Sequence, residues 1–190
     1  MANGNLSIQT SITARPAKGY PGMVDATAPH TIITAYNAEA SASIPFGKAV
    51  CWDPSAPANE LSVTLPAGAQ TTPVMGIVVY RGAYSRAWTD SDGVVHGDLD
   101  ATGLVPGTVM GILRRGRILV TAASTVVAGV SRLYVRSVAG LGETLGALED
   151  AADSTDMIDC TNQGQWMSSV AAGELAWLEV DFTASANIGS

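Results

Sequence analysis

Apolar and polar residues alternate in short runs along most of the chain, and glycine separates many of these runs. Residues 60–65 (ELSVTL) place an apolar side chain at every second position, which is the period of a strand with one buried face. Residues 74–80 (VMGIVVY) are apolar throughout, so we expect a strand covered on both faces. In residues 175–182 (LAWLEVDF) the even-numbered positions are apolar and point one way. The same patterns predict strands at residues 31–36, 49–52, 108–113, 117–121 and 133–136.

Turn residues join several of these segments. Gly116 follows two arginines between residues 108–113 and 117–121, which predicts a hairpin whose exposed tip carries Arg114, Arg115 and Arg117. The Asp92-Gly93 pair predicts a second hairpin. Helix signals are poor: residues 143–152 have leucines near helical spacing, but a glycine interrupts them, so a single turn or an acidic loop fits equally well. The pattern therefore predicts an all-β fold, either an antiparallel β-barrel or a jelly-roll-like β-sandwich.

The first 18 residues predict an extended N-terminal arm. Leu6, Ile8 and Ile12 fall on alternate positions among Ser, Gln and Thr, as in a strand that pairs with a neighbour. Turn residues at 19–22 (GYPG) end this pattern. We therefore divide the chain into an arm, residues 1–18, and a β-rich domain, residues 19–190.

Composition limits the partners. Apolar residues make up 47% of the chain and charged residues 14%, well below the usual quarter, which favours a surface that faces other protein. The 17 acidic and 10 basic residues give a net charge of −7, which argues against nucleic acid or a membrane as a partner. The chain has no apolar run near membrane-spanning length and starts without a secretion signal. Cys51 and Cys160 match no metal spacing, so we expect buried, reduced thiols in a protein made in the cytoplasm.

No arrangement of residues typical of catalysis is present. The two histidines, His30 and His96, have no partner at nucleophile or metal spacing, and the HExxH, G-x-S-x-G and phosphate-loop motifs are missing. The acidic residues around Asp92-Gly93 do not match the spacing of a calcium loop, so we interpret them as an exposed hairpin. We predict that the protein is not an enzyme and binds neither metal nor cofactor. Six further acids are interpreted as a solvated loop rather than a weak cation site: Glu143, Glu149, Asp150, Asp153, Asp156 and Asp159.

Two groups of side chains remain as candidates for binding. Arg114, Arg115 and Arg117 form either a contact for an acidic partner, through bidentate pairing with carboxylates, or a solubilising turn. The four tryptophans suit a β-core or subunit contacts more than a sugar site. Residues 14–25 vaguely resemble the first motif of trimeric dUTPases, but the chain lacks the glycine-rich C-terminal motif of that family, with its Arg and Phe.

The order of segments resembles the cement, or decoration, proteins of tailed-phage capsids. The resemblance covers about residues 19–182, and its specificity comes from the order of the pieces, since each piece alone is ordinary β sequence. Such proteins often have Asp where Val130-Ser131 follows Gly129 here, which leaves the subgroup open. The segments are residues 19–25 (GYPGMVD), 44–50 (IPFGKAV), 75–79 (MGIVV), 116–120 (GRILV), 126–135 (VVAGVSRLYV) and 172–180 (AGELAWLEV).

The resemblance implies a non-enzymatic β-rich protein on the outer capsid surface of a virion, assembled in the host cytoplasm. Its expected partners are the major capsid protein, whose neighbouring subunits it bridges, and itself as a homo-oligomer, a trimer more than a dimer. The small share of charged residues suits a broad contact with other protein, and an extended arm can add a strand to the sheet of a neighbouring subunit. The alternatives are another virion component, such as a head-fibre base or tail protein, a carbohydrate-binding module, and the dUTPase-like enzyme.

Overall fold

The structure is a computed structural model. It describes residues 19–56, 61–68, 73–84, 88–89, 95–98, 102–140, 144–152 and 157–183. The described residues form these strands: β1 Thr31–Asn37, β2 Ala49–Trp52, β3 Ser62–Thr64, β4 Val74–Val79, β5 Trp88–Thr89, β6 Val95–His96, β7 Val109–Thr121, β8 Tyr134–Arg136, β9 Leu148–Glu149, β10 Met157–Asp159, β11 Gly164–Trp166 and β12 Leu175–Asp181.

Five strands close into a barrel. They pair in the order β1-β3-β2-β4-β7, and β1 pairs again with β7 to complete the ring. The all-β prediction is therefore confirmed, in its barrel form. One pair departs from the antiparallel expectation, because β1 and β3 run parallel. The alternation within each strand does not specify which neighbour it pairs with, so sequence could not distinguish these pairings.

The buried apolar residues of the described part of the chain form two clusters. The barrel interior takes one face of each of the five strands and includes Ala35, Val50, Val63, Val78 and Ile112. The larger cluster lies outside the barrel, between it and a separate sheet of order β10-β8-β9. Strand β4 faces both clusters, which explains why all six of its residues are buried, as its unbroken apolar run predicted.

The hairpin predicted around Gly116 is wrong. Residues 109–121 form one continuous strand of 13 residues, β7. At Arg115 this strand pairs with Thr31 of β1 and with Asp181 of β12, so ladder hydrogen bonds on both edges hold the backbone extended where the sequence predicted a turn. Gly116 does adopt a positive φ of 130°, and a Cβ there would lie 2.7 Å from the Cβ of His30.

The remaining local predictions have mixed outcomes. Strands β5 and β6 pair antiparallel, which confirms the second hairpin, although its Asp92-Gly93 turn lies outside the described residues. In the last strand, the alternating residues from Ala176 to Phe182 are buried, as the pattern predicted. Within residues 144–152 the structure has a turn at residues 145–146, one of the alternatives left open, followed by a short strand, β9. The predicted arm, residues 1–18, lies outside the described residues.

Candidate functional site

A groove of about 750 Å³ opens along the face of β7 and β12. It brings together five stretches that are far apart in sequence. The lining residues are 27–29, 115–117, 129–132, 161–165 and 179–181. Three arginines and two carboxylates lie among them, in a chain whose net charge is −7. The lining therefore carries one more positive than negative charge, on a protein that is acidic as a whole.

The register of β7 and β12 forms two ion pairs in the groove. Arg115 stands opposite Asp181, and Arg117 stands opposite Glu179. The Nε of Arg115 lies 3.6 Å from Oδ2 of Asp181, and the Nε of Arg117 lies 3.3 Å from Oε2 of Glu179. All four side chains are between 41% and 63% exposed, so water screens both pairs and each contributes little to stability.

Local hydrogen bonds keep the groove carboxylate of Asp181 ionised. Its Oδ1 accepts from the hydroxyl and, at 3.0 Å, from the backbone N–H of Thr183. These bonds, followed by the nearby charges of Arg115 and Arg114, lower the pKa of Asp181 from its usual value. Asp181 therefore keeps its charge opposite Arg115.

The third groove arginine, Arg132, belongs to the segment 129–132, outside β7 and β12. Its side chain is exposed, and its pKa is raised by a hydrogen bond with Tyr134, by the charge of that residue and by the charge of Asp159. The indole Nε1 of the buried Trp166 donates to the carbonyl of Arg132 at 2.9 Å, which fixes the backbone at this point. The side chain of Arg132 is thus presented from a firmly held wall.

Arg114 does not belong with the other arginines, contrary to the predicted exposed tip. It lies where the register between β7 and β1 shifts, since Thr31 stands opposite Arg115 and Ile32 opposite Leu113, and it does not line the groove. Its Nη2 donates to the carbonyl of Phe182 at 2.6 Å, and its Nε is buried without a hydrogen-bond partner among the described residues. Arg114 therefore holds the end of β12, while Arg115 and Arg117 face the groove.

An apolar rim adjoins the groove. Val130, which lines it, is 77% exposed, and Val127 in the same turn is 48% exposed. Met167, 41% exposed, directly follows Trp166, whose carbonyl accepts from the N–H of Gly129 at 2.9 Å. Sequence analysis did not identify this rim or Arg132, because these valines read as ordinary strand residues and only the fold leaves them uncovered.

Other candidates are placed as follows. Leu6, Ile8 and Ile12 lie outside the described residues. Glu149 is not part of a solvated loop: it is 5% exposed and forms a buried ion pair with Arg136. The two cysteines are buried and neither is in a disulfide, as predicted, and burial raises the pKa of each thiol to about 12. Of the tryptophans, Trp166 is fully buried in the core.

The described part of the chain holds no group of three or more His, Cys, Asp or Glu side chains placed to bind a metal ion. Among the same residues, no helix has the length and apolar character needed to span a membrane.

Comparison with known families decides the identity of the chain. The family model described as "Structural cement protein (E217 gp24/Pam3 gp6)" matches residues 8–181. The chain belongs to this family of phage structural cement proteins. The sequence resemblance to capsid cement proteins is therefore confirmed, and the match begins within the predicted arm.

The fold of this cement protein is also found in a solved phage structure. It matches a chain of the structure titled "The capsid of Myoviridae Phage XM1" with a TM-score of 0.61 and 13% sequence identity. The match covers 93% of the present chain and 98% of the other. At this identity the similarity is one of fold. None of the curated proteins compared with the chain matches it.

Proposed function

We propose that this cement protein binds the outer surface of a phage head and bridges neighbouring major capsid subunits, so that the shell resists the pressure of the packaged genome. The match of the cement family over residues 8–181 carries the proposal, and the capsid fold of the solved relative supports it. The role is structural and non-enzymatic. It places the protein in the virion, after assembly in the host cytoplasm.

The chemistry of the surface suits such a role. Only 14% of the residues are charged, so a broad contact removes few charges from water. A cement protein makes the same contact at many positions of a lattice. When linked copies bind together, each contact raises the effective concentration for the next one, so the assembly binds more tightly than a single contact does. A homo-oligomer, a trimer more than a dimer, fits the symmetric sites of such a lattice.

Two sets of residues are proposed to make the contacts. Leu6, Ile8 and Ile12 of the arm are proposed to pack against a neighbouring subunit while the arm adds a strand to the edge of its sheet. Arg115 and Arg117 are proposed to face the shell, because both side chains are exposed on one face of β7. Arg114 is left out of this contact set, since its guanidinium bonds to the carbonyl of Phe182.

The decisive experiment adds purified protein to undecorated heads of its own phage. We expect saturable binding and a higher temperature of head disruption. A particle reconstruction is expected to show density on the outer surface of the head wherever neighbouring capsomers meet. Density at a single vertex or on the tail would favour a head-fibre base or a tail protein instead. Failure to bind heads, together with specific hits on a glycan array, would favour the carbohydrate-binding alternative.

A further inference from the structure

The residues that line the groove suit one particular kind of partner, more specific than a general contact with the shell. We propose that the groove docks an extended, acidic segment of the major capsid protein, a proposal that rests on the cement function proposed above. Carboxylates of that segment pair with the groove arginines, and an apolar side chain beside them packs on the rim formed by Val127, Val130 and Met167.

The arginines provide the carboxylate sites. A guanidinium presents planar, paired donors that match a carboxylate in bidentate fashion. Arg115 and Arg117 are held by their own carboxylates at 3.6 and 3.3 Å, and both pairs are exposed, so exchanging one partner for another costs little. Arg132 lines the same groove and completes a set of three.

The same walls carry neutral donors for a main chain. Asn162 and Gln165 line the groove and are exposed, and an amide N–H₂ donates to a carbonyl of a peptide as readily as to a carboxylate. An extended segment presents its carbonyl groups at regular intervals, whereas a folded surface presents few. These donors favour a strand-like occupant.

The apolar rim argues for protein. An exposed valine at 77%, next to two further exposed apolar side chains and an arginine, has the composition of an interface core. Phosphate-rich ligands are disfavoured, because they would leave the exposed apolar side chain of Val130 uncovered.

The first test measures binding of purified protein to undecorated heads over a range of salt concentrations. We expect Arg132→Glu to weaken binding roughly tenfold or more and to reduce its dependence on salt. Arg81→Glu is the matched control: it makes the same change in charge at an exposed arginine that does not line the groove. Thermal melts verify that both variants fold, and Arg132→Gln, which removes the charge without reversing it, repeats the test if Arg132→Glu does not fold.

The second test identifies the occupant. Val130→Cys introduces an accessible thiol on the rim, and a thiol-reactive photo-cross-linker labels it selectively, because Cys51 and Cys160 are buried with pKa values of about 12. After irradiation of decorated heads, mass spectrometry is expected to find the label on an acidic segment of the major capsid protein. A cross-link to a second copy of the cement protein would overturn the proposal.

The outcomes separate the two proposals. If the parent protein does not bind heads, the cement function itself fails. If the parent binds and both Arg132 variants bind equally well, the function stands and the groove is not the docking site. Equal weakening by Arg81→Glu would mean that overall charge, and not the groove, governs binding.

Discussion

The guanidinium of Arg136 and the carboxylate of Glu149 form a bidentate ion pair inside the protein. Nε lies 2.6 Å from Oε1, and Nη2 lies 3.0 Å from Oε2. The side chains are 4% and 6% exposed. The pair joins β8 to β9 in the small sheet that covers the barrel, and the neighbouring Gly146 carbonyl accepts from the N–H of Ala49 at the start of β2. It therefore lies where the small sheet meets the barrel.

Glu149→Gln is expected to lower the free energy of unfolding by about 3–5 kcal/mol, because it leaves the buried Arg136 without its countercharge. The double variant Arg136→Met with Glu149→Leu is expected to recover most of that loss. Glu179→Gln, which breaks the exposed pair with Arg117, should cost less than about 1 kcal/mol. Denaturant unfolding measures all three variants, and a loss for Glu149→Gln as small as that for Glu179→Gln would contradict the structural role.

Gly146→Ala is expected to destabilise the protein much more than Gly173→Ala. Both glycines have a positive φ, 71° and 81°, so alanine at either position incurs backbone strain of about 1–2 kcal/mol. A Cβ at Gly146 would also collide with the carbonyl oxygen of Ala49, whereas Gly173 faces open space. The collision is expected to add about 1–3 kcal/mol, measured as the difference between the two unfolding free energies. Equal losses would mean that the small sheet moves away from the barrel at little cost.

Asp53 is expected to make the free energy of unfolding fall as the pH drops below about 4. Ser55 donates its hydroxyl and backbone N–H to Oδ1 at 2.7 and 2.9 Å, and Ser62 donates to Oδ2 at 3.2 Å, which lowers the pKa of Asp53. A lowered folded pKa contributes stability that is complete above the ordinary carboxyl value near pH 4 and is lost as the pH falls through the folded value. Asp53→Asn should therefore cost about 1–2 kcal/mol at pH 7 and progressively less below pH 4.

The control for Asp53 is Asp25→Asn. Asp25 accepts from Thr27 in the same local geometry, at 2.7 and 2.9 Å, but this bond is exposed. We expect a smaller change for it at every pH in chemical unfolding curves. A loss for Asp53→Asn that stays constant between pH 7 and pH 3 would contradict the linkage.

The two cysteines are expected to be inert in the folded protein. Burial raises the pKa of Cys51 and Cys160 to about 12, so the thiolate fraction at pH 8 is very small and reagent cannot reach either sulfur. A thiol reagent should label neither residue of the native chain within minutes and both after denaturation. Rapid labelling of one thiol in the native protein would show local opening near that residue.

Removal of residues 1–18 is expected to leave the domain folded and to reduce its occupancy on heads. The described strands begin at Thr31 and close the barrel within residues 31–121, so the melting temperature should stay close to that of the parent. The arm is proposed to supply strand hydrogen bonds at each lattice position, so quantitative gels of washed particles should show fewer truncated copies. An unfolded truncation would place the arm within the sheet of its own domain, and normal occupancy would show that it is dispensable.

The sequence by itself determined the class of fold, the position of most strands and which face of β12 is buried. These features follow from local periodicity: alternation in β12 sets its buried face, and the unbroken apolar run in β4 predicts cover on both sides. The order of glycine-bounded segments was also sufficient for the resemblance to cement proteins, which the family match confirms.

Only the tertiary structure decided how those strands are paired and what their surfaces present. The Arg114-Arg115-Gly116 segment has the local chemistry of a turn, yet pairing with β1 and β12 on both edges keeps it extended. That pairing places the guanidinium of Arg114 on the carbonyl of Phe182 and brings Arg115 and Arg117 into the same groove as Arg132, which follows them by 15 or more positions. Glu149 is buried for the same reason, since its countercharge Arg136 lies on the neighbouring strand. Local periodicity does not indicate which distant strands pair. The groove could not be predicted from it, because distant segments form the lining.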